Sequence, residues 1–514
     1  MLRSVLTVGG WTMASRVLGL VREILIATLL GTGPVADAFF VALKLPNLFR
    51  RLFGEGAFNA AFVPAFTGKL AAEGEPAAHR FAEDAFAVLG LWLVALTLLG
   101  EIFMPQLMAV LAPGFEKIPA KFALAVTLSR ITFPYLILIC AAALVAGVLN
   151  GLNRFTAAAA SYVLFNVIGI AALFGLTPFL PTAGHALAIG VTASGIAQLG
   201  VLLFALHRAG FTLHLRRPAL SPDIRLLLRR MGPGLVGAGV TQINFMVDVI
   251  IASLLPAGTV SVLNYADRIN QLPLGVVGTA IGTALLPTLS RQMRLGQAAE
   301  ARATLNRALE FGLFLTLPAA MALIVAPFPI IWTLFGHGAF GLESATRSSQ
   351  SLAAYALGLP AFVAVKALAP GFFARGDTKT PVKIGAVAVA VNLALNLAFM
   401  VPLRHVGPAL ATSLAAMLNA GWLGVVLHRR GVLAVDAQLR RRLPRMLAAG
   451  VVMAAVLGGI EYALPVLGLH GLARPAALAV LVVAGLGAYL AAAAGLGAFS
   501  VSETRAMLRR RRSA

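Results

Sequence analysis

From Ala85 to Gly100, and again from Ala476 to Gly495, the chain runs without one charged residue. Runs of this kind recur along the whole sequence and limit what it can fold into. No water reaches the backbone inside a bilayer, so only helices and closed barrels can span it. Barrel strands are segments of about ten residues with alternating polarity. These runs are longer and do not alternate, so they read as helices. Composition agrees: 59% of the 514 residues are hydrophobic and 12% are charged, against roughly 25% charged in soluble domains. The fold class is therefore an all-α polytopic membrane protein. About fourteen transmembrane helices are expected, at 5–30, 36–66, 85–111, 121–149, 156–178, 185–207, 226–254, 262–288, 307–335, 347–372, 381–402, 406–428, 445–467 and 474–497.

The net charge of +22 would suggest nucleic acid in a soluble protein. Here the basic residues lie in short loops between apolar runs, without interleaved aromatics, so no nucleic-acid partner is expected. They report topology instead. Lys69, Arg80, Arg154, Arg208, Arg216, Arg217, Arg225, Arg291, Arg294, Arg302, Arg375, Lys379, Arg429, Arg430, Arg440 to Arg442 and the tail Arg509 to Arg512 fall on one side. The other side holds only Lys117, Arg268, Arg347, Arg404 and Arg474. Both termini are expected in the cytoplasm, in a bacterial inner membrane, with no cleavable signal peptide evident. The basic tail would also meet anionic membrane lipids. The single cysteine, Cys140, lies in an apolar run; it excludes an intrachain disulfide and argues against a metal site.

A weak internal repeat is present. Leu45-Pro46 is followed by Pro64, as Leu272-Pro273 is by Pro287, and Pro134 precedes Asn166 by the interval that separates Pro360 from Asn392. Each feature recurs six helices later, the mark of two six-helix lobes in the same orientation. The expected domains are an N-terminal lobe (1–208), a cytoplasmic linker (209–225), a C-terminal lobe (226–430), two extra C-terminal helices (431–498) and a basic tail (499–514).

Charges inside the spans are the most informative residues, because each costs about 2.5–3.5 kcal/mol at the bilayer centre. The first span carries Arg16, Arg22 and Glu23, the second Asp37, Lys44, Arg50, Arg51 and Glu55, and the eighth begins with Asp267-Arg268. Arg16 and Glu23 are seven residues apart, as are Asp37 and Lys44, so each pair shares a helix face. Internal ion pairing is the plainer account of any one of them. Bases outnumber acids in the cluster, however, and point to a wet cavity for an anion, with arginine suited to bidentate phosphate recognition. Pro46, Gly54, Gly56 and Pro273 interrupt these spans and are hinge candidates. Asp248, with Asn392, Asn396 and Thr412, offers oxygens for a sodium ion or a proton relay; interhelical hydrogen bonding is the alternative. Gly232 to Gly237 matches a dinucleotide fingerprint by letter only, since it opens a membrane helix. No nucleotide, nucleophile or metal motif appears, so no enzyme, cofactor or metal is expected.

The stretches Arg16-Val17-Leu18-Gly19, Asp37-Ala38-Phe39-Phe40-Val41-Ala42, Lys44-Leu45-Pro46-Asn47-Leu48-Phe49-Arg50-Arg51 and Glu55-Gly56-Ala57-Phe58 closely resemble the MurJ (MviN) lipid II flippase family. Ala112-Pro113-Gly114-Phe115, Tyr265-Ala266-Asp267-Arg268, Leu285-Leu286-Pro287 and Leu368-Ala369-Pro370-Gly371-Phe372-Phe373 extend the resemblance over essentially the whole chain. It implies the fold of the multidrug/oligosaccharidyl-lipid/polysaccharide exporter superfamily. It also implies a lipid II flippase of peptidoglycan biosynthesis working by alternating access beside peptidoglycan polymerases, rather than an enzyme. Arg16, Arg22, Arg50 and Arg268 match the family's cavity arginines and Asp37 its cavity acid; Arg51 and Asp267 lie beside them. Gln271 departs from the pattern, standing where relatives carry an acid. Coupling to sodium, protons or membrane potential is expected. The alternatives are a flippase for another polyprenyl-linked glycan or a cation-coupled small-molecule exporter.

Overall fold

A computed structural model describes residues 2–51, 57–214, 216–466 and 474–498. The hinge candidates Gly54 and Gly56 and the basic tail lie outside these residues. Every regular element among those described is helical, and the chain forms two compact units.

The first unit, residues 1–261 with 337–340, holds α1 (Leu2–Leu30), α2 (Pro34–Phe49), α3 (Ala57–Glu73), α4 (Glu75–Ile102), α5 (Met104–Leu111), α6 (Pro119–Thr132), α7 (Tyr135–Gly151), α8 (Phe155–Leu176), α9 (Ala183–Arg208) and α10 (Pro222–Leu254). Within it, α8 packs on α1 and α9, α2 on α6, and α3 on α4, α7 and α10. Phe62 stacks on Phe66 and Phe81 at the centre of the α3–α4–α7 core. The loop His337–Phe340 belongs to this unit because Ala339 N–H donates to Thr28 O at 2.8 Å. Two glycines permit that approach. Gly31 (φ +60°) and Gly338 (φ +56°) are left-handed, and a Cβ on either would lie within 2.4 Å of the facing carbonyl oxygen.

The second unit, residues 262–336 with 341–514, takes most of α11 (Thr259–Arg294), then α12 (Ala298–Val325), α13 (Pro327–Phe335), α14 (Leu342–Phe373), α15 (Lys379–Phe399), α16 (Val406–Arg429), α17 (Ala437–Val466) and α18 (Arg474–Gly495). α14 is central, against α12 and α16. The last two helices pack on each other and on α12 through Leu317, Met446, Met453, Leu457, Leu481 and Tyr489.

Among the described residues, eleven helices are long and apolar enough to cross a membrane. The expected spans without such a helix are the first, second and seventh. They carry most of the intramembrane charge. The second is also divided between α2 and α3, of 16 and 17 residues, and the apolar part of α10, Gln242–Leu254, is short.

Two of the prolines inside these helices, Pro46 and Pro318, are met by the same device. A proline has no N–H and leaves the carbonyl four residues earlier without its helical donor. Pro46 in α2 does this to Ala42, and the Thr132 hydroxyl on α6 donates to Ala42 O at 3.2 Å. Pro318 in α12 does it to Phe314, and the Tyr489 hydroxyl on α18 donates to Phe314 O at 2.9 Å. Each of these two breaches of a helical ladder thus becomes a tie to a packed neighbouring helix.

Candidate functional site

On α1, Arg16 is exposed and Arg22 is enclosed. Arg22 fits a slot on α8: its guanidinium carbon lies 4.6 Å from the Phe165 ring centroid, and its stem runs over Gly169, where a Cβ would sit 3.1 Å from Arg22 Cδ. Phe165 and Gly169 are one turn apart, so they form the floor and the gap of one face. Arg22 Nη2 also lies 3.2 Å from Glu23 Oε1, and Glu23 is buried. Two helical turns earlier on α1, Asn166 Nδ2 of α8 donates to Ser15 O at 3.0 Å, which fixes the register of the two helices.

Asp37 on α2 is 1% exposed and fully engaged. Its Oδ2 accepts from Lys121 Nζ on α6 at 2.6 Å and from Gly258 N–H at 2.7 Å. Its Oδ1 accepts from the backbone N–H and the hydroxyl of Ser261, both at 2.8 Å. The carboxylate therefore caps the amino end of α11, where backbone N–H groups lack helical partners and the helix dipole is positive. Lys121 is itself buried and lies 3.8 Å from the Phe115 ring centroid. A charge pair this dry persists only when every donor and acceptor is satisfied. This clamp explains why the chain up to Ser261 belongs with the first unit.

Arg50 closes α2; its Nε lies 3.3 Å from Asn47 Oδ1, and it lines a small cavity with Ser161, Tyr162 and Gln198. Arg51 is exposed and lies 5.2 Å from the Phe245 ring centroid on α10, one turn before Asp248. In the second unit, Asp267 and Arg268 are half-buried on α11, and Gln271 Nε2 donates to Asp267 Oδ1 at 3.2 Å. Pro273 lies inside the unbroken α11. Asn392 and Asn396 are fully buried on α15, with Asn396 Nδ2 donating to Asn392 O at 3.0 Å and Oδ1 at 3.1 Å. Thr412 on α16 and Asp248 on α10 are half-buried. Arg16, Arg22, Asp37, Arg50, Arg51 and Asp248 thus stand in the first unit, and Asp267, Arg268, Asn392, Asn396 and Thr412 in the second.

Lys121, Phe165, Gly169 and Ser261 support these groups and were not read from the sequence. Lys121 offered one signal, a cation at the start of an apolar run. Gly169 offered none, because a small residue in a membrane helix is ordinary.

The family model for "Lipid II flippase MurJ" matches residues 26–473. The chain belongs to the MurJ lipid II flippase family. A probable lipid II flippase MurJ from Rhizobium meliloti (strain 1021) is 45% identical over 515 residues, covering 99% of this chain and 96% of the relative. The lipid II flippase MurJ of Burkholderia cenocepacia is 36% identical, covering 88% and 89%. A solved lipid II flippase MurJ in an inward closed conformation matches with a TM-score of 0.79 at 25% identity, covering 95% of this chain and 97% of that one. An inward-facing multidrug transporter of the MOP superfamily matches with a TM-score of 0.69 at 15% identity, covering 83% of this chain and 98% of that one, so the two chains share a fold. Membership of the MurJ family makes the chain a multi-pass membrane transporter rather than an enzyme.

Proposed function

We propose that the chain moves lipid II, the undecaprenyl-diphosphate-linked peptidoglycan precursor, from the cytoplasmic to the periplasmic leaflet of a bacterial inner membrane by alternating access. The observation that carries this reading is family membership across residues 26–473, joined to the arginines that the sequence carries within its expected spans. Arg16, Arg22 and Arg268 bind the diphosphate and headgroup, with Arg50 and Arg51 beside them. Arginine presents a planar fork to phosphate oxygens, and the Phe165–Gly169 slot holds the stem of Arg22 in one place, which lowers the entropy lost on binding. Asp37 acts by fixing the start of α11, on which Arg268 stands.

The two lobes rock about Pro46 and Pro273, with Gly54 and Gly56 as further bending points. The polyprenyl tail stays in lipid along the last two helices. A membrane potential, negative inside, favours anion export by about 2.3 kcal/mol per charge per 100 mV. Sodium or a proton at Asp248, Asn392, Asn396 and Thr412 resets the empty carrier. Both termini are cytoplasmic, and peptidoglycan polymerases take up the product.

The test is rescue of a strain depleted of its lipid II flippase, with all variants checked for equal membrane levels. Wild type restores growth, whereas Arg22→Ala and Arg268→Ala do not. Gly169→Leu, which fills the Arg22 slot without touching a charge, is expected to fail with Arg22→Ala. A stably inserted wild type that gives no rescue would overturn the substrate assignment.

A further inference from the structure

The first unit contains a second basic feature, remote in sequence from the α1–α2 arginines. At the ends of α7, α8 and α9 lies an open cavity of about 610 Å³, within the roughly 300–1,000 Å³ usual for small-ligand sites. Arg154 and Arg208 both line it, and no lining residue is acidic. Arg154 is the residue before α8, placed there by a sharp turn in which Asn153 is left-handed (φ 59°) and Arg154 N–H returns to Leu149 O at 2.8 Å. Arg208 ends α9, and its guanidinium lies over the Phe204 ring. Asn153 and Thr156 are the other polar residues of the lining, and Leu149, Phe155, Val201 and Phe204 give it an apolar wall. Phe204 is 62% exposed.

A cavity with two guanidinium groups at its rim and an aliphatic and aromatic wall has one chemical complement at a membrane surface. It fits an anion joined to a hydrocarbon chain. Arg154 and Arg208 both stand in the expected cytoplasmic set, where anionic lipids supply that chemistry. We propose that this cavity binds a single anionic glycerophospholipid of the cytoplasmic leaflet. Its phosphate sits between Arg154 and Arg208, and one acyl chain lies along Val201 and Phe204. The site uses none of the residues assigned to lipid II, so the two assignments stand or fall separately.

The full chain in detergent micelles, titrated with phosphatidylglycerol or phosphatidylcholine and read by native mass spectrometry, tests this. Wild type retains one phosphatidylglycerol in preference to phosphatidylcholine. Arg154→Gln with Arg208→Gln weakens that retention roughly tenfold to thirtyfold, and Arg154→Lys with Arg208→Lys keeps most of it, which excludes misfolding as the cause. Ala157→Phe, which fills the cavity with both charges intact, also releases the lipid. Arg440→Gln with Arg441→Gln removes the same charge from exposed positions on α17 and leaves retention unchanged. Equal loss in that control pair would reduce the effect to general electrostatics and overturn the site. Equal binding of the two phospholipids by wild type would do the same. So would a site that takes undecaprenyl diphosphate but not phosphatidylglycerol.

Discussion

Each unit of the molecule buries an acid among bases, and the two do so differently. In the first, Asp37 and Lys121 have side chains only 1% and 4% exposed, and the carboxylate also takes three donors from the start of α11. In the second, Glu310 on α12 is 10% exposed and accepts from Arg442 Nη1 at 2.5 Å, from Gln438 at 3.3 Å and from Arg307. Arg307 also pairs with Asp436, and these two are 34% and 37% exposed. Asp436 caps α17 by accepting from Leu439 N–H at 2.7 Å. The two networks do the same mechanical task, tying the amino end of a long helix to its neighbours. They differ in water. In the dry clamp a lost partner leaves a charge nothing can solvate; in the wetter one, water replaces part of what is removed.

That contrast predicts effects of different size. Asp37→Asn strands the Lys121 ammonium and is expected to cost about 3–5 kcal/mol locally. Hydrogen exchange of the Gly258 and Ser261 amides should quicken roughly 100- to 3,000-fold. Asp37→Asn with Lys121→Met should recover much of the protection, since the stranded charge is gone. If both variants exchange alike, the clamp does not depend on its charge. Glu310→Gln keeps an acceptor and leaves Arg307 its second partner, so the expected cost is about 1–2 kcal/mol. Amides in the first turn of α17 should then exchange roughly 5- to 30-fold faster. An effect there as large as at α11 would break the comparison.

Much of the fold is legible in the sequence, because lipid removes most alternatives to a helix. The long apolar runs that become α8, α9, α16 and α18 could be placed to within a few residues, whereas the expected 85–111 begins ten residues inside α4 and runs on through α5, and the expected 121–149 is divided between α6 and α7. The spans that read least cleanly as lipid-facing, α1, α2–α3 and α10, are those whose charges marked them as functional. What those charges touch was not legible. Asp37 and Lys121 are 84 residues apart, and no periodicity links an acid on one helix to a base on another. Pro46 stood out as a hinge candidate, yet the Thr132 hydroxyl that answers it resembles any threonine near a helix end. The Glu310–Arg442 pairing was hidden likewise, since the basic run at Arg440 to Arg442 already had an account as a topology signal.

The smallest expected effect is the one on which the two units should agree. Thr132→Val on α6 and Tyr489→Phe on α18 each remove one hydroxyl and leave a proline-orphaned carbonyl, Ala42 O or Phe314 O, without that donor. Hydrogen bonds between membrane helices average about 0.6 kcal/mol and reach about 1.7, so both variants should lower the apparent melting temperature slightly and by similar amounts. The cause can be isolated by returning the missing N–H. In a Pro46→Ala background the backbone can again donate to Ala42 O, and Thr132→Val should then cost almost nothing. The same should hold for Tyr489→Phe in a Pro318→Ala background. Coupling of this kind in a double-mutant cycle would show that the hydroxyls serve the broken ladders. Costs that add independently of the proline would mean that they serve only local packing.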